Sequence, residues 1–450
     1  MSSFRDDDSS MEPVFDHSTP RLPTESAPLP GARFSLALLL TINLLNYIDR
    51  QVLSAVEPNI RAEFHINKTQ SGYLATAFIL SYMVMAPLFG WLADRTSRWV
   101  LVGFSVLLWS GATAAGGLAA GFVMLLITRM FVGVGEAGYG PAAPTIISDL
   151  YPVARRGSVL AWFYVAIPVG SALGYVVGGA VGGWLGWRWA FYIVTIPGVI
   201  LGIWSFFLKD PPRGAADAGH AMHRLPRFSD YSHLLKNRSY VINTLAMAAM
   251  TFAIGGMSYW MPDYLSQHRG LGDSAKIKFG AITVVAGLGA TILGGIAGDK
   301  LRNRFGGSYF LVSGIGILLA APFVIAMLYL PFPLAWVLLF GAIFFLFFNT
   351  GPSNTALANV VSPSVRASAF AVNIFMIHAI GDAPAPPILG HIADHYGWNA
   401  AFSVVAACMV IAGVLWLIGM PHLKPDTDAV TRAEAAPGGF PVGTPTPPVG

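Results

Sequence analysis

Gly186-Trp187-Arg188-Trp189-Ala190-Phe191 returns 211 residues later as Gly397-Trp398-Asn399-Ala400-Ala401-Phe402. The same offset pairs Pro152-Val153-Ala154-Arg155-Arg156-Gly157 with Pro363-Ser364-Val365-Arg366-Ala367-Ser368, Gly140-Pro141 with Gly351-Pro352, and Gly170 with Gly381. An offset of 205 brings Gly90-Trp91-Leu92-Ala93-Asp94-Arg95 onto Gly295-Ile296-Ala297-Gly298-Asp299-Lys300. These matches fall in the same order along both stretches, so the 450 residues contain an internal repeat and fold as two related halves.

Each half is built from apolar runs. The chain is 54% hydrophobic and only 11% charged, with a mean hydropathy of +0.59, whereas soluble domains carry about 25% charged residues. A large water-soluble enzyme is therefore excluded. The net charge of +4 is spread thinly, without the basic stripe that holds nucleic acid. The single cysteine, Cys408, rules out an internal disulfide framework and a thiolate metal cluster. A spanning helix needs about 20 apolar residues, and twelve such runs are expected near 34–56, 70–93, 99–120, 122–148, 157–184, 188–208, 239–262, 279–298, 308–330, 333–360, 367–393 and 398–420. Membrane β-strands would instead alternate over about ten residues. The expected fold is an all-α polytopic membrane protein, with twelve transmembrane helices in two pseudo-symmetric six-helix bundles, 34–208 and 239–420.

The acidic, proline-bearing tail 1–33 and the proline- and glycine-rich tail 421–450 are expected to be disordered. One set of alternate loops holds Arg95, Arg98, Arg155, Arg156, Lys209, Arg213, Arg224, Arg227, Lys236, Arg238, Lys300, Arg302, Arg304 and Arg366. The other holds only Arg61, Lys68, Arg188, Arg269, Lys276 and Lys278. Basic residues stay on the cytoplasmic side, so both termini and the linker 209–238 are expected there, in the plasma (inner) membrane if the chain is bacterial.

Five charged residues lie deep inside the expected spans: Asp49, Arg50, Arg129, Glu136 and Asp382. Each costs about 2.5–3.5 kcal/mol at a helix centre, so such residues face a cavity and pair with one another. At 1.5 Å per residue, Asp49 stands about 22 Å from the start of its span and Glu136 about 21 Å from the start of its own. Arg129 and Glu136 share one helix face, with Gly133 between them to let a neighbouring helix approach. Asp49 and Glu136 are the expected proton carriers. Arg50 and Arg129 are the expected charge partners or receptors of an acidic head group. The competing reading is a network that only fixes the helices. His378 and Asp382, four apart, form either a second titratable patch or a packing hydrogen bond. Tyr82, Tyr164, Trp260, Asn349, Thr350 and Ser353 are candidate cavity residues.

Gly133-Val134-Gly135-Glu136-Ala137-Gly138 fits a dinucleotide-binding pattern only formally, because it lies inside an apolar span. Gly170, Gly174 and Gly178 read as a close helix crossing. Asn67-Lys68-Thr69 is a glycosylation sequon in an outer loop. Neither HExxH nor GxSxG occurs, so an intramembrane enzyme has no motif to support it.

The loop with Gly90, Asp94, Arg95 and Arg98, and its counterpart with Gly295 and Asp299, resembles the signature of the major facilitator superfamily of secondary transporters. Within it the chain resembles the spinster-like sphingolipid and lysolipid transporters. That likeness rests on Leu45-Asn46-Tyr47-Ile48-Asp49-Arg50, Gly133-Val134-Gly135-Glu136-Ala137, Pro144-Thr145-Ile146-Ile147, Trp260-Met261-Pro262 and His378-Ala379-Ile380-Gly381-Asp382-Ala383 with Pro387. The resemblance implies that spans 1 and 4 flank a central cavity, that Asp49 and Glu136 couple protons, and that the two signature loops form a cytoplasmic gate. The expectation is a proton-coupled transporter, monomeric and without cofactor or metal, moving an amphipathic solute such as a lysolipid or sphingoid-type lipid by alternating access. The alternative is a proton-driven multidrug or small organic anion transporter of the same fold.

Overall fold

The computed structural model describes residues 28–213, 234–302, 304–362 and 365–435. The expected disorder of 1–27 and 436–450, and the middle of the linker with Arg224 and Arg227, lie outside these residues. The first half holds α1 (Ala32–Phe64), α2 (Lys68–Ala93), α3 (Arg98–Gly117), α4 (Phe122–Leu150), α5 (Val153–Trp184) and α6 (Trp187–Ser205). In the second half, α7 (Arg238–Asp263) ends in a π turn, Tyr264–His268, followed by α8 (Ser274–Arg302) and α9 (Ser308–Tyr329). α10 is interrupted, Leu334–Phe347 then Thr350–Asn359. α11 starts as Arg366–Ile377, passes a π turn at His378–Asp382, and continues into a helix, Ala385–Ala435, that breaks at Gly397. The part beyond the break, 398–435, is α12.

Among the described residues, ten helical stretches are long and apolar enough to cross a membrane. The last of them, Ser368–Arg432, contains two spans, and α1 adds one more despite its polar residues, which makes twelve. With an even number of spans the two described ends emerge on one face, the termini face; the other is the far face.

The repeated Gly-Trp stretch has a backbone cause. Gly186 sits at φ 91, ψ 156 and Gly397 at φ 83, ψ 171, a region that is essentially glycine-only. Each glycine turns the chain sharply at the far face, and the tryptophan behind it anchors the next helix. Trp187 donates from Nε1 to Glu63 at 2.6 Å and meets Phe191 edge-on; Trp398 packs against Trp260, Tyr264 and Phe402. α2 opens with a capping box, in which Asn67 accepts from the Gln70 backbone at 2.8 Å and the Gln70 side chain accepts from the Asn67 backbone at 3.0 Å.

The halves repeat each other's packing. α1 lies on α5, α2 on α4, and α3 on α4 and α6; in the second half α7 lies on α11 and α12, α8 on α10, and α9 on α10 and α12. Gly170, Gly174 and Gly178 form the α5 face that meets α1, pressed against Leu44, Ile48 and Ala55. Between halves, α2 meets α11, α5 meets α8 and α1 meets α7.

Two expectations need correction. The chain does not lose its structure at Pro421: α12 continues to Ala435, because Leu423 is buried, Lys424 lies along Gly306, and Asp426 accepts from the Ser239 backbone at 2.9 Å. Spans 1 and 7 also reach beyond their apolar windows, to Phe64 and His268. Their ends are charged, and hydropathy alone stops at the charge.

Replacing Gly397 by Ala is expected to destabilise the protein by about 1–3 kcal/mol through backbone strain. Gly111→Ala, in a helix with nothing near the added carbon, is expected to leave the thermal midpoint unchanged or higher. Thermal unfolding of the detergent-solubilised variants measures both.

Candidate functional site

α4 carries Gly133 and Gly135 where larger residues would collide. A Cβ on Gly133 would stand 2.2 Å from the Phe78 carbonyl of α2, and one on Gly135 would stand 2.6 Å from the Trp109 nitrogen of α3. This tight seating, flanked by Arg129 and Glu136, presses the charged face of α4 into the bundle interior. There Arg50 of α1 donates from Nε to Glu136 at 2.7 Å. The guanidinium lies 4.9 Å from the ring centroid of Tyr47, 5.0 Å from that of Phe78 and 5.5 Å from that of Tyr82. Arg129 lies 5.3 Å from the same Phe78 ring. One aromatic ring thus serves two cations, replacing part of the hydration they give up.

Asp49 accepts from the Thr113 hydroxyl of α3 at 2.6 Å. Asp49, Arg129 and Glu136 are buried, whereas the Arg50 side chain keeps 21% of its surface exposed. Arg50 is the member that reaches the opening. Buried atoms without a protein hydrogen-bond partner cluster here: Asp49 Oδ1, Glu136 Oε1, Arg129 Nε and Nη1, and Asn46 Nδ2. Leaving such a group unpaired costs about 1–3 kcal/mol, so the network holds unused proton-binding and hydrogen-bonding capacity. All four charges expected on α1 and α4 are brought together. Tyr47, Phe78 and Thr113 were missed by sequence reading, because uncharged residues inside apolar runs carry no signal of their own.

The site extends across to the second half. The Tyr82 ring meets the His378 ring edge-on at 6.4 Å, and His378 Nδ1 lies 2.9 and 3.0 Å from the two Asp382 oxygens within the π turn of α11. The Tyr82 ring thus stands between the Arg50–Glu136 pair of the first half and the His378–Asp382 pair of the second. Tyr164 is exposed and Thr350 half-buried, both compatible with a cavity wall. Trp260, Asn349 and Ser353 present no open surface in this structure. All three are fully buried. Trp260 donates to the Pro386 carbonyl at 2.8 Å, Asn349 donates to the Leu346 carbonyl, and the Ser353 carbonyl accepts from Asn243. Asn349 Oδ1 is left without a hydrogen-bond partner. An apolar cleft of about 240 Å³ lies between α1 and α5 on the termini side of the network, lined by residues including Leu40, Leu44, Trp162 and Val169.

At the termini face, Asp94 and Arg95 are exposed; Asp94 makes no side-chain hydrogen bond among the described residues, and Arg95 stacks on its own Trp91 at 4.4 Å. A Cβ at Gly90 or Gly295 would meet nothing within 4 Å. Asp299 accepts from Tyr309 at 2.8 Å. Arg98 is buried and tied to Asp149 of α4 and, in the linker, to Asp210 (3.1 Å) and the Pro211 carbonyl (2.7 Å).

The hydrogen bonds that join the halves gather toward the far face. Ser54 donates to the Ser258 and Tyr259 carbonyls, Tyr175 to the Ser258 carbonyl, and Tyr259 to the Ser71 carbonyl. Asp394 accepts from the Lys68 and Thr69 backbones and from both side chains. Arg61 links Glu57 (2.9 Å) to Asp263 of α7 (3.0 and 3.1 Å). Glu57 and Asp263, each one residue beyond an apolar window, were missed by the sequence reading. Their spacing from Arg61 and from the end of span 7 was the available clue.

The Major Facilitator Superfamily model matches residues 39–386. Protein spinster homolog 3 of Danio rerio is 35% identical over 454 residues, covering 94% of this chain and 91% of its own length. The sphingosine-1-phosphate transporter SPNS2 of Danio rerio is 34% identical over 404 residues, covering 81% of this chain and 79% of its own. Among solved structures, a bacterial homolog to the human lysosomal transporter Spinster, inward-facing and unoccupied, shares the fold, with a TM-score of 0.77 and 24% identity over 90% of this chain and 99% of that one. With twelve spans in two matched bundles, the chain belongs to the major facilitator superfamily, among its spinster-like members, and is a multi-pass membrane transporter rather than an enzyme.

Proposed function

We propose that this transporter moves an acidic amphipathic lipid of the lysolipid or sphingoid class by alternating access, coupled to protons at Asp49 and Glu136. The observation that carries this reading is the Arg50 guanidinium, ringed by Tyr47, Phe78 and Tyr82, bonded through Nε to buried Glu136 while the side chain keeps 21% of its surface exposed. Arg50 has two uses that exclude each other. With Glu136 charged, the pair is closed and the arginine is engaged. Once Glu136 takes a proton, the pair loses its attraction, and Arg50 turns its charge to the head group of an acidic lipid. The apolar cleft between α1 and α5 takes hydrocarbon. A relative named for sphingosine-1-phosphate transport fits this substrate class.

The far-face hydrogen bonds hold the present state closed on that side. By the distribution of lysine and arginine, the termini face is cytoplasmic, and this is the inward-facing state. Asp94, with Gly90 and Gly295, forms the cytoplasmic latch of the opposite state: the glycines keep room for the helices to close, and Asp94 then finds a helix-end partner. The competing reading, export of hydrophobic drugs or small organic anions, uses the same carboxylates but does not need Arg50 for a cationic cargo.

In proteoliposomes with an imposed pH gradient, labelled lysolipids and sphingoid phosphates are expected to accumulate against their gradient. Glu136→Gln and Asp49→Asn are each expected to reduce this accumulation by about tenfold or more, equivalent to about 1.4 kcal/mol, while downhill exchange continues. Full gradient-driven transport in both variants would overturn the coupling assignment.

Arg50→Gln is expected to lower transport of an acidic lipid by about tenfold or more, since a charged partner of the head group is lost. Transport of a cationic dye is expected to change little. The reverse order of effects, measured on the same vesicles, supports the drug-export reading instead.

A further inference from the structure

We propose that Glu57, Arg61 and Asp263 form a second proton-binding site, which locks the far face of the transporter. Two acids share one guanidinium here: Arg61 donates from Nε to Glu57 Oε1 at 2.9 Å and from Nη2 to both Asp263 oxygens at 3.0 and 3.1 Å. The Glu57 side chain is fully buried and that of Asp263 is 2% exposed. Glu57 Oε2 has no hydrogen-bond partner and is shut off from solvent. The Glu57 carboxyl lies near the Ser71 hydroxyl, which stands 3.1 Å from that of Tyr259.

The surrounding charges do not supply the missing cation. Lys68 of α2 is within electrostatic reach of Asp263 but is engaged by Asp394 of α11 at 3.2 Å. Lys276 of α8 is engaged by Asp273 at 2.7 Å. Arg129 reaches Tyr259 only at a distance, and belongs to the balanced network with Asp49, Arg50 and Glu136. His268, in the π turn after α7, is exposed and stacked on Tyr264 at 5.4 Å. Counting Glu57, Asp263, Asp394 and Asp273 against Arg61, Lys68 and Lys276 leaves one negative charge without a partner, and the two acids that share Arg61 are the ones closed to water. One proton on Glu57 Oε2 restores neutrality and turns the orphaned oxygen into a donor.

The triad joins α1 to α7, so its state is tied to the seal between the halves. With the far face closed, the site holds a proton. When the halves part and water enters, both acids are solvated and the proton leaves to that side. The closed far face is therefore favoured by low pH and loses this support as pH rises. This inference does not depend on proton coupling at Asp49 and Glu136.

The test measures far-face opening directly. Spin labels at Leu118 and Tyr329, exposed at the far ends of α3 and α9, report the separation of the halves in lipid nanodiscs by pulsed electron–electron distance measurement. Cys408→Ser removes the native thiol. The background carries Asp49→Asn and Glu136→Gln, so the first network contributes no titration. Raising the pH from about 5 to about 8, across the range in which perturbed carboxylates titrate, is expected to increase the long-distance population severalfold. Glu57→Gln is expected to abolish this response and hold the short distance at both pH values. Asp263→Asn leaves the neutral pair Glu57–Arg61 and is expected to abolish the response as well; it decides the matter alone if Glu57→Gln does not fold. A pH response that survives both substitutions, that is absent with the triad intact, or that disappears in His268→Gln alone overturns the proposal. Loss of uphill transport in the background variant bears only on the function proposed above.

Discussion

The ion pair between Arg50 and Glu136 is the interaction on which the interior of the first half depends. Neither residue belongs in hydrocarbon alone, since each charge costs several kcal/mol when taken out of water and only a well-placed partner offsets it. The pair ties α1 to α4, two helices that otherwise have little packing in common. It forms only because Gly133 and Gly135 let α4 sit against the backbones of α2 and α3. The aromatic rings around Arg50 complete the cation's environment on the sides the carboxylate does not reach. Small residues, rings and charges are thus parts of one arrangement.

Symmetry between the halves governs backbone and packing, but not charge. Helix pairings repeat, as do the positive-φ glycines at positions 186 and 397. Lys68 at the start of α2 and Lys276 at the start of α8 occupy matching places, 208 residues apart. Their acids do not match. Lys68 finds Asp394 in the other half, so that pair joins the halves; the residue equivalent to Asp394 is Gly183, and Lys276 turns to Asp273 in its own half. One side of the far-face seal is thereby clamped by charge, while the other, where Gly179 and Gly280 face α8 and α5, is closed by small residues.

Sequence made the fold legible because hydrocarbon imposes a long period on the chain: apolar runs of spanning length, the Gly-Trp repeat and the distribution of basic loops each point to two bundles of six. The same logic exposed Asp49, Arg50, Arg129 and Glu136, since a charge in an apolar run has no other explanation. It failed where chemistry sits at a boundary. Glu57 and Asp263 are what ended the apolar windows, so the windows excluded the residues of interest. It also failed for uncharged polar groups. Asn349 and Ser353 have the same composition signal whether they face a cavity or donate to a carbonyl of their own helix turn, and only packing separates those outcomes. Pro421 misled for a related reason: docking of Leu423, Lys424 and Asp426 outweighs the local signal of proline and keeps the helix going.

Both charge clusters draw on α1, and this has a mechanical consequence. Arg50 and Glu57 are seven residues apart, about two turns and roughly 10 Å along the axis, so they occupy one face of a single rod. Between Glu57 and Arg61 stands Pro58, which has no backbone N–H to give the Ser54 carbonyl, and so weakens the helix about two turns before the far end. The Ser54 hydroxyl, by contrast, ties this part of α1 to the other half, donating to the carbonyls of Ser258 and Tyr259. The end of α1 that carries the triad is thus bonded to the second half both by Ser54 and by Arg61. A change at Glu136 acts on the stiff part of α1 through Arg50, whereas a change at Glu57 acts on a segment that Pro58 has partly uncoupled. Under the two proposals above, α1 carries both proton-binding clusters on one face, with Pro58 directly after the acid of the second.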